Sequence, residues 1–167
     1  MLSLSAEIIN TKAPYHVVKG EENSFYFTTD GGVVYNVGFV QDQMLADEGV
    51  YQFYIVNVNH DHERRDALVW ETIRCVIEVF FQQEPLVMLY ICDTSDERQD
   101  VRDRLFKRWY REYANPIEFT LVNEHIEFDG IVYFGSILLK KSHPNHDELI
   151  SKFHHIIMDL PNKLDNL

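Results

Sequence analysis

Two short stretches carry side chains able to do chemistry. His60, Asp61 and His62 stand together, and Asp93, Thr94, Ser95 and Asp96 stand together further along the chain. Imidazoles and carboxylates on neighbouring loops can hold a divalent metal or exchange protons with a substrate. His60, His62 and Asp93 are the candidate ligands. The plainer reading is that Asp61 and Thr94 cap helices while the imidazoles stay in water. It is preferred, because two histidines and scattered aspartates lack the fixed spacing of a metal motif. An aspartate ahead of a helix also suggests phosphoryl transfer, but Ser95 stands where that pattern needs a second Asp.

Arg104, Lys107, Arg108 and Arg111 recur at the spacing of one helix face. Such a stripe can dock an acidic partner, a phosphate group or an RNA segment. A merely solvated face is the preferred reading of these four residues taken alone, since Asp100 precedes Arg104 and Asp103 precedes Lys107 by one turn. The four cations stand out because the chain as a whole carries 15 basic against 27 acidic residues, a net charge of −12. That field repels phosphate backbones, so general binding to nucleic acid or to anionic membranes is disfavoured. A protein is the expected partner.

Other reactive side chains point to structure. Cys75 and Cys92 sit inside apolar patterns with no Cys-x-x-Cys partner, as buried thiols of a reducing compartment do. His16, His125, His143, His146, His154 and His155 show no ligand spacing. No apolar run is long enough to cross a bilayer, and the first twelve residues lack the pattern of a secretory signal. Cytoplasm is the expected location.

The elements that must position these groups follow from pattern. Residues 24–29 and 33–42 read as a hairpin around Asp30-Gly31-Gly32, and residues 50–59 as a third strand. Tyr51, Phe53 and Ile55 alternate with Tyr54, Val56 and Val58, so that strand is expected to be central and covered on both faces. Residues 43–49 read as a loop. Residues 63–82 read as a helix, because Val69, Ile73, Val76, Ile77 and Phe80 keep helical spacing and the run is too long for a strand.

Residues 87–92 form a nearly all-apolar strand. A helix follows to about residue 113, with Thr94 and Glu97 as capping box and Val101, Leu105, Trp109 and Tyr113 as its apolar stripe. Strands are expected near 117–122 and 131–140, the second after an Asp129-Gly130 turn. A last helix starts after Pro144 with Asn145 as cap, buries Leu149, Ile150, Phe153, Ile156, Ile157 and Leu160, and frays after Pro161. The order β-β-β-α-β-α-β-β-α predicts an α+β domain with a mixed, mainly antiparallel sheet and a right-handed parallel crossover over residues 50–92. At 167 residues, 46% hydrophobic and with only seven glycines, the chain reads as one domain over 1–167 with its core at about 15–160.

That order resembles the acyl-CoA N-acetyltransferase superfamily over roughly residues 24–140. Its local support is Leu89-Tyr90-Ile91-Cys92-Asp93 through Leu105-Phe106-Lys107-Arg108-Trp109, which looks like that superfamily's fifth strand, acidic turn and fourth helix. The chain is also similar to a small uncharacterised bacterial family, on Asp93, Asp96, Arg98 and Arg-Leu-Phe-Lys-Arg-Trp at 104–109, which implies no activity. The superfamily's fold implies acetyl-CoA held by Gln/Arg-x-x-Gly-x-Gly/Ala at a helix N-terminus. Here Arg64 or Arg65 would stand in the first position and Ala67 in place of the first glycine. No glycine is present, and Asp61, Glu63 and Asp66 would face a polyphosphate with like charge. The superfamily's catalytic tyrosine falls on Phe106, leaving Tyr110 as the nearest hydroxyl.

The resulting expectation is a diverged acetyltransferase-like fold working as a non-catalytic binding module, with no cofactor. The alternative is an acyl-CoA-dependent N-acyltransferase with an atypical loop, using Arg64 or Arg65 on the phosphates and Tyr110 as acid. Pairing of sheet edges would also allow a homodimer.

Overall fold

Turn chemistry sets the first half of the sheet. The chain reverses at 30–32, where Gly32 takes φ +86° and its N–H donates to the Thr29 carbonyl (3.0 Å). Strands β2 (Ser24–Thr28) and β3 (Val34–Gln41) leave this turn as an antiparallel pair, Thr28 opposite Val34. The computed structural model describes residues 2–45, 49–61, 65–83, 85–91, 104, 106–108, 110–112 and 116–164. Its remaining elements are α1 (Ala6–Asn10), β1 (Val18–Lys19), β4 (Val50–Asn57), α2 (Ala67–Phe81), β5 (Val87–Ile91), α3 (the described helical residues 104, 106–108 and 110–112), β6 (Phe119–Phe128), β7 (Ile131–Lys140) and α4 (His146–Leu164).

Seven strands are hydrogen-bonded in the order β1-β2-β3-β4-β5-β7-β6. The pairs β1/β2, β2/β3, β5/β7 and β6/β7 are antiparallel. β4 and β5 start side by side, the Gly49 carbonyl accepting from Val87 N–H (2.9 Å), so this pair runs parallel. The fold is therefore α+β with a mixed, mostly antiparallel sheet, as the pattern predicts.

The contacts group the chain into two compact units, Met1–Val40 with Phe53–Glu84, and Gln41–Gln52 with Pro85–Leu167. In the first, α2 lays one apolar stripe on the strands. Phe80, fully buried, stacks on Phe39 at 4.2 Å, and Phe39 meets Phe53 at 5.3 Å. Tyr15 and Tyr35 stack on either side of Phe27. In the second, α4 covers the β5/β7/β6 ladder through Leu149, Phe153 and Ile157, which pack with Val87, Leu89, Ile137 and Leu139.

Several expectations are corrected. The N-terminal segment belongs to the core: Leu2, Leu4 and Ile9 are buried, Ser5 caps α1, and Asn10 exchanges two hydrogen bonds with the Val17 backbone (2.7 and 2.8 Å). α2 starts at Ala67, four residues later than expected from residue 63, because Asp66 holds the extended cap conformation. β6 runs from Phe119 through Phe128, six residues beyond the strand expected near 117–122. The Asp129-Gly130 turn, both residues at positive φ, extends the ladder to Phe128 opposite Ile131. α4 continues past Pro161 to Leu164. The second face of β4 is not covered throughout, since Val56 and Val58 are exposed.

Candidate functional site

The exit of β4 and the start of α2 carry several of the predicted groups, His60, Arg65 and Ala67 among the described residues. The chain leaves β4 through two asparagines that clamp the turn. Asn59 accepts from Val34 N–H (3.0 Å) and donates to the Gly32 carbonyl and to Asp61 Oδ2 (both 2.9 Å). Asn57 Nδ2 donates to the Asp61 carbonyl (3.0 Å). Between Asn59 and Asp61, His60 takes φ +54° and is exposed, a left-handed conformation that costs about 1 kcal/mol for a residue with a Cβ. Asp61 therefore caps its own turn and not α2. Sequence reasoning missed both asparagines. Asn-x-Asn-His-Asp after a strand is turn chemistry, but the partners Gly32 and Val34 lie too far along the chain to be inferred.

Arg65 is exposed, Asp66 is half-buried and Ala67 opens the helix. The Asp66 carboxylate occupies the α2 N-terminus: Oδ1 accepts from Leu68 N–H (2.9 Å) and Oδ2 accepts from the Tyr15 hydroxyl (2.5 Å). Tyr15 is buried, its N–H donates to Thr72 Oγ1 (3.2 Å), and Thr72 in turn donates to the Leu68 carbonyl (2.8 Å). The bond to Asp66, then burial, pushes the Tyr15 phenol above its usual value, because tyrosinate beside a carboxylate is disfavoured. Where an anion would meet free N–H groups and a positive helix end, this chain supplies its own negative charge.

α3 presents the basic stripe. Arg104, Arg108 and Arg111 are exposed and Lys107 is half-buried. Arg108 pairs with Glu112 one turn on (2.7 Å), a partner the pattern did not single out. Phe106 anchors the helix, buried and 4.9 Å from the Tyr90 ring. Tyr110 donates its hydroxyl proton to the Phe119 carbonyl (3.1 Å), and burial raises its pKa. A phenol so engaged holds β6 against α3. His62, Arg64, residues 92–103 with Asp93 among them, Leu105, Trp109 and Tyr113 lie outside the described residues, so the joining of the two candidate stretches and the apolar stripe expected on α3 do too.

Two further histidines tie α4 to β6. His146 Nε2 meets Thr120 Oγ1 at 2.9 Å, and His154 Nδ1 meets Glu124 Oε1 at 2.7 Å. His143 is buried and accepts from Asn145 N–H (3.1 Å). Among the described residues no three His, Cys, Asp or Glu side chains are grouped to hold a metal ion. Cys75 is a buried free thiol whose pKa is raised by burial, as expected of an inert core cysteine.

Residues 65–155, from the cap of α2 into α4, match the family model described as Family of unknown function (DUF6169). The chain belongs to that family. No curated protein matches it.

Proposed function

We propose that this member of DUF6169 is a binding module that keeps an acetyltransferase-like order of elements without acyl transfer. The observation that carries the reading is the Asp66 carboxylate at the α2 N-terminus. It takes up Leu68 N–H and is fixed by the Tyr15 hydroxyl, so a pyrophosphate approaching the same turn would meet a charge of its own sign. Tyr110 supports the reading from the second unit, since its proton is engaged by the Phe119 carbonyl. Arg104, Lys107, Arg108 and Arg111 then form the surface offered to an acidic protein partner, against a chain whose net charge is −12. Such a stripe works by steering and by charge-assisted hydrogen bonds, so its effect is strongest at low salt.

The acyltransferase alternative retains one favourable observation, the exposed Arg65 immediately before the cap. A thermal-shift comparison separates the two. An acidic peptide at low salt is expected to raise the melting temperature, Arg104→Glu with Arg111→Glu is expected to abolish the rise, and coenzyme A at millimolar concentration is expected to leave the wild-type midpoint unchanged. Stabilisation by coenzyme A and not by the acidic peptide would reverse the assignment.

A further inference from the structure

One face of the first unit's sheet carries several exposed apolar side chains that none of the described residues covers. In the ladder β1-β2-β3-β4, Val18 stands opposite Tyr26 and Tyr26 opposite Asn36. The bonds Asp42 N–H to Val50 O and Val58 N–H to Val34 O set Asn36 opposite Val56 and Val34 opposite Val58. These residues share one face, because the pleat alternates sides and directly opposite residues agree. On that face Val18 is 56% exposed, Val40 54%, Val56 47%, Val58 44% and Tyr26 39%. Single exposed apolar residues are ordinary, but five on adjacent strands form a patch of the kind that marks an interface. The opposite face of the same strands is closed by α2 through Phe80 on Phe39.

Three features say what would cover it. The first is size: four strands about 4.8 Å apart span roughly 15 Å, enough for one helix of about 10 Å diameter, as α2 demonstrates on the other side. Charge is the second. Exposed acids ring the patch at its turns, Glu21 and Glu22 between β1 and β2, Asp30 between β2 and β3, and Asp61 after β4, while Lys19, the one cation on these strands, belongs to the other face. The third is Asn36, whose Oδ1 is already buried in the middle of the patch, so an apolar stripe laid over it strips no water from that atom. Gly38 meanwhile lets Tyr54 lie flat beside it, since a Cβ there would come within 2.6 Å of the Tyr54 hydroxyl.

We infer that this face docks an amphipathic helix of a partner protein, with an apolar stripe on Val18, Tyr26, Val40, Val56 and Val58 and lysine or arginine flanks over the acidic rim. The inference rests on the binding-module reading but concerns a surface separate from the α3 stripe, and the partner charge is of opposite sign, so the two fail independently. A second copy is the less favoured occupant, because two acidic rims would be brought together.

The test uses three synthetic helical peptides of about four turns, roughly 15 residues: a leucine/lysine amphipathic helix, its leucine/glutamate counterpart, and the leucine/lysine composition scrambled to remove the stripe. Fluorescence anisotropy is expected to show binding of the first, with the other two weaker by roughly tenfold or more. Val40→Thr with Val56→Thr keeps shape and strand propensity at exposed positions, and is expected to weaken the first peptide by a similar factor. Equal binding of the scrambled peptide, indifference to the valine changes, or no binding at all would overturn the inference. So would a dimer in sedimentation that the valine changes dissolve, which would assign the face to a second copy.

Discussion

Replacing Asp66 by alanine removes two bonds with one side chain, and the cost can be worked from the geometry. Loss of the bond to Leu68 N–H removes an N-cap, about 1 kcal/mol. The Tyr15 hydroxyl, 7% exposed as a residue, loses a charged acceptor, which adds about 2 kcal/mol. Asp66→Ala is therefore expected to lower the unfolding free energy by about 3 kcal/mol, and Tyr15→Phe by about 1.5 kcal/mol because the bond to Asp66 goes, with the long one accepted from Asp30 N–H (3.5 Å), and the ring contact with Phe27 stays. In the double variant the shared bond is counted once, so the coupling energy of the cycle should be about 1.5 kcal/mol. Urea denaturation of the four proteins, read by circular dichroism, gives each term. A cost below about 1 kcal/mol for Asp66→Ala, or additivity of the two changes, would refute the claim that this carboxylate is fixed on the helix end and unavailable for anything else.

Other perturbations have equally definite outcomes. Phe80→Ala opens a cavity under Phe39, and equilibrium unfolding should show a loss of about 3–5 kcal/mol. The raised Tyr15 phenol stabilises the fold below its ordinary value near 10, and that contribution is lost as pH climbs through the raised folded value. Stability should thus fall above about pH 10, less steeply in Tyr15→Phe, when denaturation midpoints are compared across pH. His60→Gly relieves a left-handed residue and should raise stability by up to about 1 kcal/mol in the same assay. Tyr110→Phe leaves the Phe119 carbonyl without its donor and should cost about 1 kcal/mol in urea.

What the sequence made legible was local. Asp30-Gly31-Gly32 and Asp129-Gly130 announce their hairpins because positive φ can be met by few residues, and the 3.6-residue spacing of Val69, Ile73, Val76 and Phe80 outweighs their β-branched propensity. Two-residue β1 and five-residue α1 are too short to show a period, and they exist because Asn10, Leu4 and Ile9 find partners in the fold. The helix start was misplaced because Asp61 and Asp66 are equally good caps on paper; Tyr15, 51 residues from Asp66, decides between them. The site was less legible for the same reason, since Asn59 reaches Gly32 and Val34 across the sheet. Exposure of Val56 and Val58 was hidden too, because alternation reveals that both faces of a strand are apolar but not whether a helix arrives to cover each.

Calorimetric titration of acetyl-CoA and free coenzyme A tests the central claim most directly. With Asp66 seated on the α2 N-terminus and Tyr110 bonded to Phe119, the expected result is no heat up to millimolar ligand. A micromolar dissociation constant, abolished when Arg64 and Arg65 are changed to glutamate, would contradict it and put acyl transfer in place of binding.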